Sequence, residues 1–529
     1  MLVDFERDPS LPSEPDICIV GAGIAGLVLA TELARHGLVV LVLEGGGERD
    51  EARSQALFQV QTAARPHAGA VYGRARVLGG SSTRWGGQLL PLEPLDFVER
   101  QEIVGSGWPI TGMELGHYVE RAPAYLRMGP VASDATSARR RQRALPAWQP
   151  DRLQPRWSVW APWRFRNVAR NLRDDLQRQG GLVVATHANV VEIVGQGDRV
   201  DGLRVRSYGG REQRVRARAY VIACGTIETA RLLLASRAAL PVLQHLPAIG
   251  RYFIDHLSIR AGRIHEADRP AFMQAFQPFF EGPTLRTPKL QLAPALQTAE
   301  ASLAAQGHVV FDLDPNSALG MARTALQSRQ KGSAPLFSPS MLAALGKSLP
   351  DAVGGLGARL FLGLRPVPSQ SAAHLQIDVE QQPRPESRIG IGSEVDALGM
   401  PRAIVDWRWD DLERRSARLC ASTIAAEFER LGMGRIDWAP GFVDGDDDAF
   451  DAAVRDIYHM AGTARMGTDI ETSVVDPKLQ VHGIDNLYVA GCVVMPTIGC
   501  GNPTLTMMAL TLRLAEHLRD QLAASPLAA

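Results

Sequence analysis

Two residues near the C-terminus have the types and the setting for proton chemistry on a hydroxyl. His459 opens the run H-M-A-G-T-A-R-M-G, and Asn502, 43 positions further on, sits in G-C-G-N-P-T-L-T. A neutral imidazole, with an ordinary pKa near about 6.5, takes up a proton at physiological pH. A carboxamide hydrogen-bonds an oxygen and fixes its orientation without competing for that proton. Between the two, N-L-Y-V-A-G-C reads as a strand ending in a glycine bend. Pro503 suits the first turn of a helix, so Asn502 is expected to cap that helix. Taken alone, His459 reads as a satisfied core histidine, and only the neighbouring motifs reverse that reading.

The elements that must position such a pair begin at the other end of the chain. Residues 16–20, D-I-C-I-V, form a short apolar strand, followed at once by Gly21-Ala22-Gly23-Ile24-Ala25-Gly26. A helical pattern runs through Leu27, Leu29 and Leu33, and a second strand from Leu38 to Leu43 ends at Glu44. Glycines 21, 23 and 26 permit a tight turn, close approach of a pyrophosphate, and close helix–strand packing, with the anion at the positive helix end. Glu44 stands where a carboxylate accepts hydrogen bonds from ribose hydroxyls and repels a 2′-phosphate, which argues against NADP. A structural glycine turn is the alternative.

Further strands are expected over residues 183–193, 217–223 and 486–490, the last two leading into helices at about Glu228–Ala235 and Pro503–Leu522. This is an α/β pattern, a doubly wound nucleotide-binding domain assembled from 13–130, 182–260 and 455–525. Residues 131–181 and 261–454 then form a second, α+β domain. It carries a mostly antiparallel sheet (strands near 376–379, 387–391 and 403–409) and a helix over about 412–431. Residues 316–365, rich in Ala, Leu, Gly and Ser, read as helical.

Composition excludes several classes. The 57 Lys+Arg balance 57 Asp+Glu, so no net field points to nucleic acid or an anionic membrane. There is no apolar run of membrane-spanning length. The acidic, proline-containing N-terminus lacks the marks of a signal peptide. Five cysteines without metal-ligand spacing, in 529 residues, point to a reducing, cytoplasmic setting and to no metal. A partner subunit could still carry an export signal, or the chain could form a homo-oligomer. Residues 139–166 interleave Arg139, Arg140, Arg141, Arg143, Arg156, Arg164 and Arg166 with Trp148, Trp157, Trp160 and Trp163. That stretch is read as a segment packing under the second domain, with sugar stacking as the alternative.

Taken together, G-A-G-I-A-G, L-G-G-S-S-T-R-W-G-G (78–87), A-C-G-T-I-E-T-A-R-L-L-L, G-R-Y-F-I-D-H (250–256) and the two C-terminal blocks resemble the glucose–methanol–choline oxidoreductase family. They are most similar to its pyranose-oxidase and sugar-dehydrogenase branch. The match spans the first domain and touches the second mainly through Q-P-R-P-E-S-R-I and D-A-L-G-M-P-R. The resemblance implies extended, non-covalent FAD between two domains. Glu44 would hold the adenosine ribose and the backbone near Val190 the adenine. The segments through Gly79, Gly80, Ser81, Ser82, Thr83 and Trp85, through Cys224 and Gly225, and through Gly491, Cys492, Asn502, Pro503 and Thr504 would line the rest of the cofactor. His459 and Asn502 fall on the family's catalytic pair, as base and as partner of the substrate oxygen.

The implied reaction is oxidation of a hydroxyl of a sugar, glycoside, aminosugar or polyol to a carbonyl. A sterol or aromatic alcohol is the alternative substrate, and a flavin-binding subunit with a structural or electron-relay role is a rival of another class. In fungal pyranose oxidases a histidine binds flavin covalently where this chain has Arg84. A threonine that favours reaction with oxygen stands where it has Gly86. The first departure implies non-covalent FAD; the second tilts the expectation to a dehydrogenase using a quinone or protein acceptor rather than O2. His187, His256 and His482 are expected to be structural.

Overall fold

Four consecutive apolar residues, Ile17–Val20, form a strand with every side chain buried, the pattern of a parallel strand covered on both faces. The helix Ile24–Arg35 follows, then the strand Val40–Leu43. These belong to a six-stranded, wholly parallel sheet in the order Leu2–Asp4, Leu182–Thr186, Val40–Leu43, Ile17–Val20, Ala219–Ile222, Leu487–Val489. The helices Ile24–Arg35 and Thr504–Ala524 pack on each other beside this sheet and share its core. The computed structural model describes residues 1–8, 11–12, 14–131, 146–178, 180–312, 363–368 and 370–524. The stretch 316–365 read as helical lies outside these apart from its last three residues.

Two local readings change. The run expected as strand over 183–193 is two strands, Leu182–Thr186 and Asn189–Gln196, separated at His187, whose φ is 55°. The second pairs with Arg199–Arg206 in a separate antiparallel sheet. The acidic N-terminus contributes the edge strand Leu2–Asp4, whose register on Leu182–Thr186 needs a partner remote in sequence.

The other large sheet is antiparallel throughout. Its order is Gly434–Trp438, Leu257–Glu266, Ala373–Val379, Ala305–Phe311, Thr284–Leu292, Leu153–Trp160, Gln88–Leu89. The helix Asp411–Arg430 is started by a capping box, Asp410 with Glu413, and buries Cys420, Ala421, Ile424 and Phe428 against one face. Gly307 has no side chain because a Cβ there would overlap Ile424. The architecture is thus α/β with a doubly wound parallel unit beside an α+β unit on an antiparallel sheet.

Part of the arginine–tryptophan stretch, Arg156, Trp157 and Trp160, lies on the strand Leu153–Trp160 of that second sheet. Trp157 is buried, Trp148 lies against Phe276 and Phe428, and Arg156 is buried 2.8 Å from Glu93; Trp163 remains exposed. Arg139, Arg140, Arg141 and Arg143 fall outside the described residues.

Candidate active site

Gly21, Gly225 and Gly491 each lie just past the carboxyl end of a parallel strand, where open α/β sheets take their ligands. Gly26 is held against the first strand: a Cβ there would overlap the Gly21 carbonyl oxygen. Gly23, by contrast, faces open space and caps the helix without any side-chain hydrogen bond, so the first-turn N–H groups are left to a ligand. Gly79 donates its N–H to the Ala22 carbonyl (2.9 Å), and a Cβ on Gly80 would come within 2.9 Å of Gly23. The two glycine loops therefore form one surface. The Ser82 and Thr83 hydroxyls donate within their own turn, to Gly79 O (2.5 Å) and Gly80 O (2.8 Å), while Ser81 is exposed. Trp85 Nε1 donates to Arg166 O (2.8 Å).

Gly225 and Gly491 follow the paired strands Ala219–Ile222 and Leu487–Val489, with φ of 80° and 131°, and a Cβ on Gly225 would meet nothing. Cys224, whose thiol donates to Val20 O, and Cys492 flank them. Glu44 is buried and accepts from the N–H groups of Ala22 (2.9 Å) and Gly46 (2.8 Å). A carboxylate has about four lone-pair sites, so two remain for ribose hydroxyls. Burial raises its pKa despite those bonds. Val190 is buried in the neighbouring antiparallel sheet. An open helix terminus, a glycine floor without Cβ atoms and a carboxylate with spare acceptor sites fit an adenine dinucleotide.

The proton chemistry sits where two distant segments run side by side. Residues 250–256 and 459–463 touch through the antiparallel bridge Ile254↔Ala461. Gly462, with φ of 82°, packs so tightly that a Cβ would overlap the Tyr252 carbonyl. This contact brings Asp255 under both histidines: its Oδ1 accepts from His256 N (2.7 Å) and His459 N (2.9 Å), and its Oδ2 lies 3.2 Å from His67 Nε2. Burial by itself would raise the Asp255 carboxyl, but His67 at 3.2 Å and the surrounding imidazoles outweigh it and hold the carboxyl below its ordinary value.

The tautomers follow from what each atom can do. His256 Nε2 lies 2.7 Å from Gly499 O, and a carbonyl only accepts, so that nitrogen carries the hydrogen. Neutral His256 therefore offers a lone pair at Nδ1, which lies 2.9 Å from His459 Nδ1. His459 must then donate from Nδ1, which leaves its Nε2 as the free base. Facing that nitrogen at 3.3 Å is the Nδ2 donor of Asn502. Asn502 Oδ1 is buried with no partner among the described residues. Burial first, then His256, push the His459 imidazole down to about 3; burial also lowers His256. Both rings are neutral at physiological pH. Asp255, His256 and His459 have the residue types of a metal site. Two nitrogens 2.9 Å apart are spaced for a hydrogen bond, however, rather than for the roughly 3.3 Å between ligands of one tetrahedral ion.

Sequence reasoning grouped His256 with His187 and His482. The structure separates them: His187 bonds Asp4 and Glu51, His482 bonds Ser473, and His256 alone of the three touches His459. Its signal was the Asp255-His256 dipeptide inside a matched block. Asn502 does not act as the helix cap. The helix starts at Thr504 with Pro503 O as first acceptor, because the Asn502 amide is turned to His459. Its own N–H is tied to Leu90 O (2.9 Å).

Two family profiles match the chain: a GMC oxidoreductase profile over residues 383–511 and an FAD dependent oxidoreductase profile over residues 16–254. The chain is 26% identical to 6'''-hydroxyparomomycin C oxidase of Streptomyces lividus, over 96% of its length and 92% of that protein. It is 24% identical to the fructose dehydrogenase large subunit of Gluconobacter japonicus, over 96% and 98%. Among solved structures it resembles pyridoxine 4-oxidase from Mesorbium loti, with a TM-score of 0.57 and 21% identity over 95% of this chain and 99% of that one.

Proposed function

Because the chain belongs to the glucose–methanol–choline (GMC) oxidoreductase family and uses FAD, we propose that it oxidises a ring or chain hydroxyl of a sugar, glycoside, aminosugar or polyol to a carbonyl. The observation that carries this reading is the Nε2 lone pair of His459 facing Asn502; His459 stands one residue before Met460, whose carbonyl accepts from Thr226 next to Gly225. Bound FAD supplies the acceptor for the hydride that leaves the carbinol carbon. The protein's part is the proton. The substrate hydroxyl takes the place of the Asn502 amide at His459 Nε2, donates to it, and accepts from Asn502 Nδ2. A base as weak as this one suffices because the hydroxyl becomes strongly acidic only as the hydride departs. The imidazolium then formed is stabilised by ionised Asp255 beneath both rings and remains hydrogen-bonded to His256.

Glycines 21, 23, 26, 79, 80, 225 and 491, with Glu44, are the proposed cofactor contacts. The relatives named for hydroxyparomomycin C and for fructose support a sugar-like substrate. A dehydrogenase with a quinone or protein acceptor is favoured by Gly86, where a Cβ would come within 2.8 Å of Trp160, and non-covalent FAD by Arg84, which is paired with Asp50 at 2.9 Å. No described helix is long and apolar enough to cross a membrane. All five cysteines are free.

The test is anaerobic titration of the purified protein with sugars, aminosugars and polyols, following the flavin band near ~450 nm. Bleaching by one of them supports the reading. Bleaching only by aromatic or sterol alcohols overturns the substrate class.

A further inference from the structure

The antiparallel sheet has two faces of opposite character, and only one is explained by packing. Along Thr284–Leu292, Leu290 and Leu292 enter the core under the helix Asp411–Arg430, while Lys289 and Gln291 point the other way. Along Ala305–Phe311 and Ala373–Val379 the same alternation sends Gln306, His308 and Asp378 to that second face. Lys289, Gln291, Gln306 and Asp378 are nevertheless almost wholly buried. Burying so many polar groups is expensive unless they meet polar partners.

Their partners among the described residues satisfy only part of them. Asp378 is the hub: it accepts from Ser258 Oγ (2.5 Å), and Lys289 Nζ (3.2 Å) and His308 Nδ1 (3.3 Å) converge on its other oxygen. Against the cost of burial, His308 and Lys289 hold this carboxyl well below its ordinary value. With its Nδ1 turned to that carboxylate at 3.3 Å, a neutral His308 that keeps its hydrogen there presents Nε2 as an acceptor. The His308 side chain keeps 20% exposure, against 3% for Asp378 and 5% for Lys289. Lys289 has two further N–H groups, and Gln306 Oε1 has no partner among the described residues. The face also abuts the proton site. Gln306 Nε2 donates to Cys500 O (3.0 Å), two residues before Asn502, and Asp378 and Lys289 both act electrostatically on His459.

We propose that His308, set beside the Asp378–Lys289 pair, is the specificity-determining contact of a subsite that reads a second, neutral hydroxyl of a polyhydroxylated ring beside the carbon being oxidised. This rests on the sugar reading above and sharpens it. A hydroxyl donates and accepts at once, matching the His308 Nε2 acceptor next to the Lys289 donors. An ammonium group at the same ring position meets the Lys289 charge and loses its place, so a neutral sugar is preferred there over its amino analogue.

The test compares D-glucose, D-glucosamine, myo-inositol and cyclohexanol (one hydroxyl on a six-membered ring) with the FAD-loaded protein and two variants, His308→Leu and His308→Asn. Losing one hydrogen bond in a site built for it lowers selectivity by about 10–100-fold. The expected result is that the kcat/KM ratio of the better neutral polyol to cyclohexanol falls by about that factor in His308→Leu, chiefly through KM. Asn, which can donate to Asp378 and accept from the hydroxyl, restores most of the ratio. An unchanged ratio, an equal loss on both substrates, or a preference for D-glucosamine over D-glucose overturns the subsite while leaving the sugar reading intact. Failure of every sugar and polyol to bleach the wild-type flavin overturns both.

Discussion

His459 owes its proposed role to a neighbour that the chain delivers from 203 residues away. With His256 Nε2 fixed on Gly499 O, only one hydrogen can lie between the two Nδ1 atoms, and it belongs to His459. Replacing the base, His459→Ala, is expected to lower turnover by about 10²–10⁴-fold with FAD retained, read by steady-state rates and flavin absorbance. Replacing the positioning ring, His256→Asn, removes the acceptor that orients His459 and also removes a neighbour that depresses its pKa. Its signature is therefore a fall in kcat together with a shift of the acid limb of kcat/KM to higher pH. A purely structural defect moves the first and not the second. In the wild-type protein that limb lies well below the ordinary histidine range, because the folded group, pushed down to about 3, stays deprotonated there. A limb near 6.5 sinks the assignment.

At the scale of elements, the site depends on glycine at contacts where a Cβ has no room. Gly462 lets the segment after His459 lie against Tyr252, and its φ of 82° lies in the left-handed region that a side chain resists. Gly462→Ala is expected to cost about 1–3 kcal/mol and to pull the two histidines out of register, seen as a lower melting temperature and lost turnover. Gly26→Ala acts elsewhere: it pushes the helix Ile24–Arg35 off the first strand and is expected to lower FAD content on purification. The β-α-β opening was legible because four apolar residues, a glycine turn and a helical repeat are local signals. The break at His187 was not, since a single left-handed residue between two apolar strands leaves periodicity unchanged. The strand Leu2–Asp4 was missed because its pairing is entirely non-local.

For the whole molecule, stability should follow the buried histidines. The unfolded chain binds protons at histidine near about 6.5, whereas folded His459 does so only at about 3 and folded His256 below its ordinary value. Between those limits the unfolded state holds more protons. The stability present above 6.5 is therefore lost as pH falls through this window. Asp255 and Asp378, depressed carboxyls, add their loss only below the carboxylate range near about 3.8. Melting of the FAD-loaded protein between pH 7 and 5 should show the slope, and His459→Gln should flatten it. FAD itself should be released entirely by acid precipitation, with no yellow pellet, since Arg84, engaged with Asp50 and the Arg74 carbonyl, stands where fungal pyranose oxidases carry their flavin-linking histidine.

By itself, the sequence determined what depends on residue type and short spacing. It set the dinucleotide-type glycine turn with Glu44, the two-unit α/β and α+β pattern, and a histidine and an asparagine with the right chemistry. The tertiary structure alone decided which nitrogen of His459 is basic and that His256 and Asp255 belong to its surroundings. It also decided that one face of the antiparallel sheet is polar yet buried. A tautomer is fixed by the atom opposite, and a strand's alternating faces acquire meaning only once another element covers one of them. Neither the partner nor the cover is adjacent in the chain.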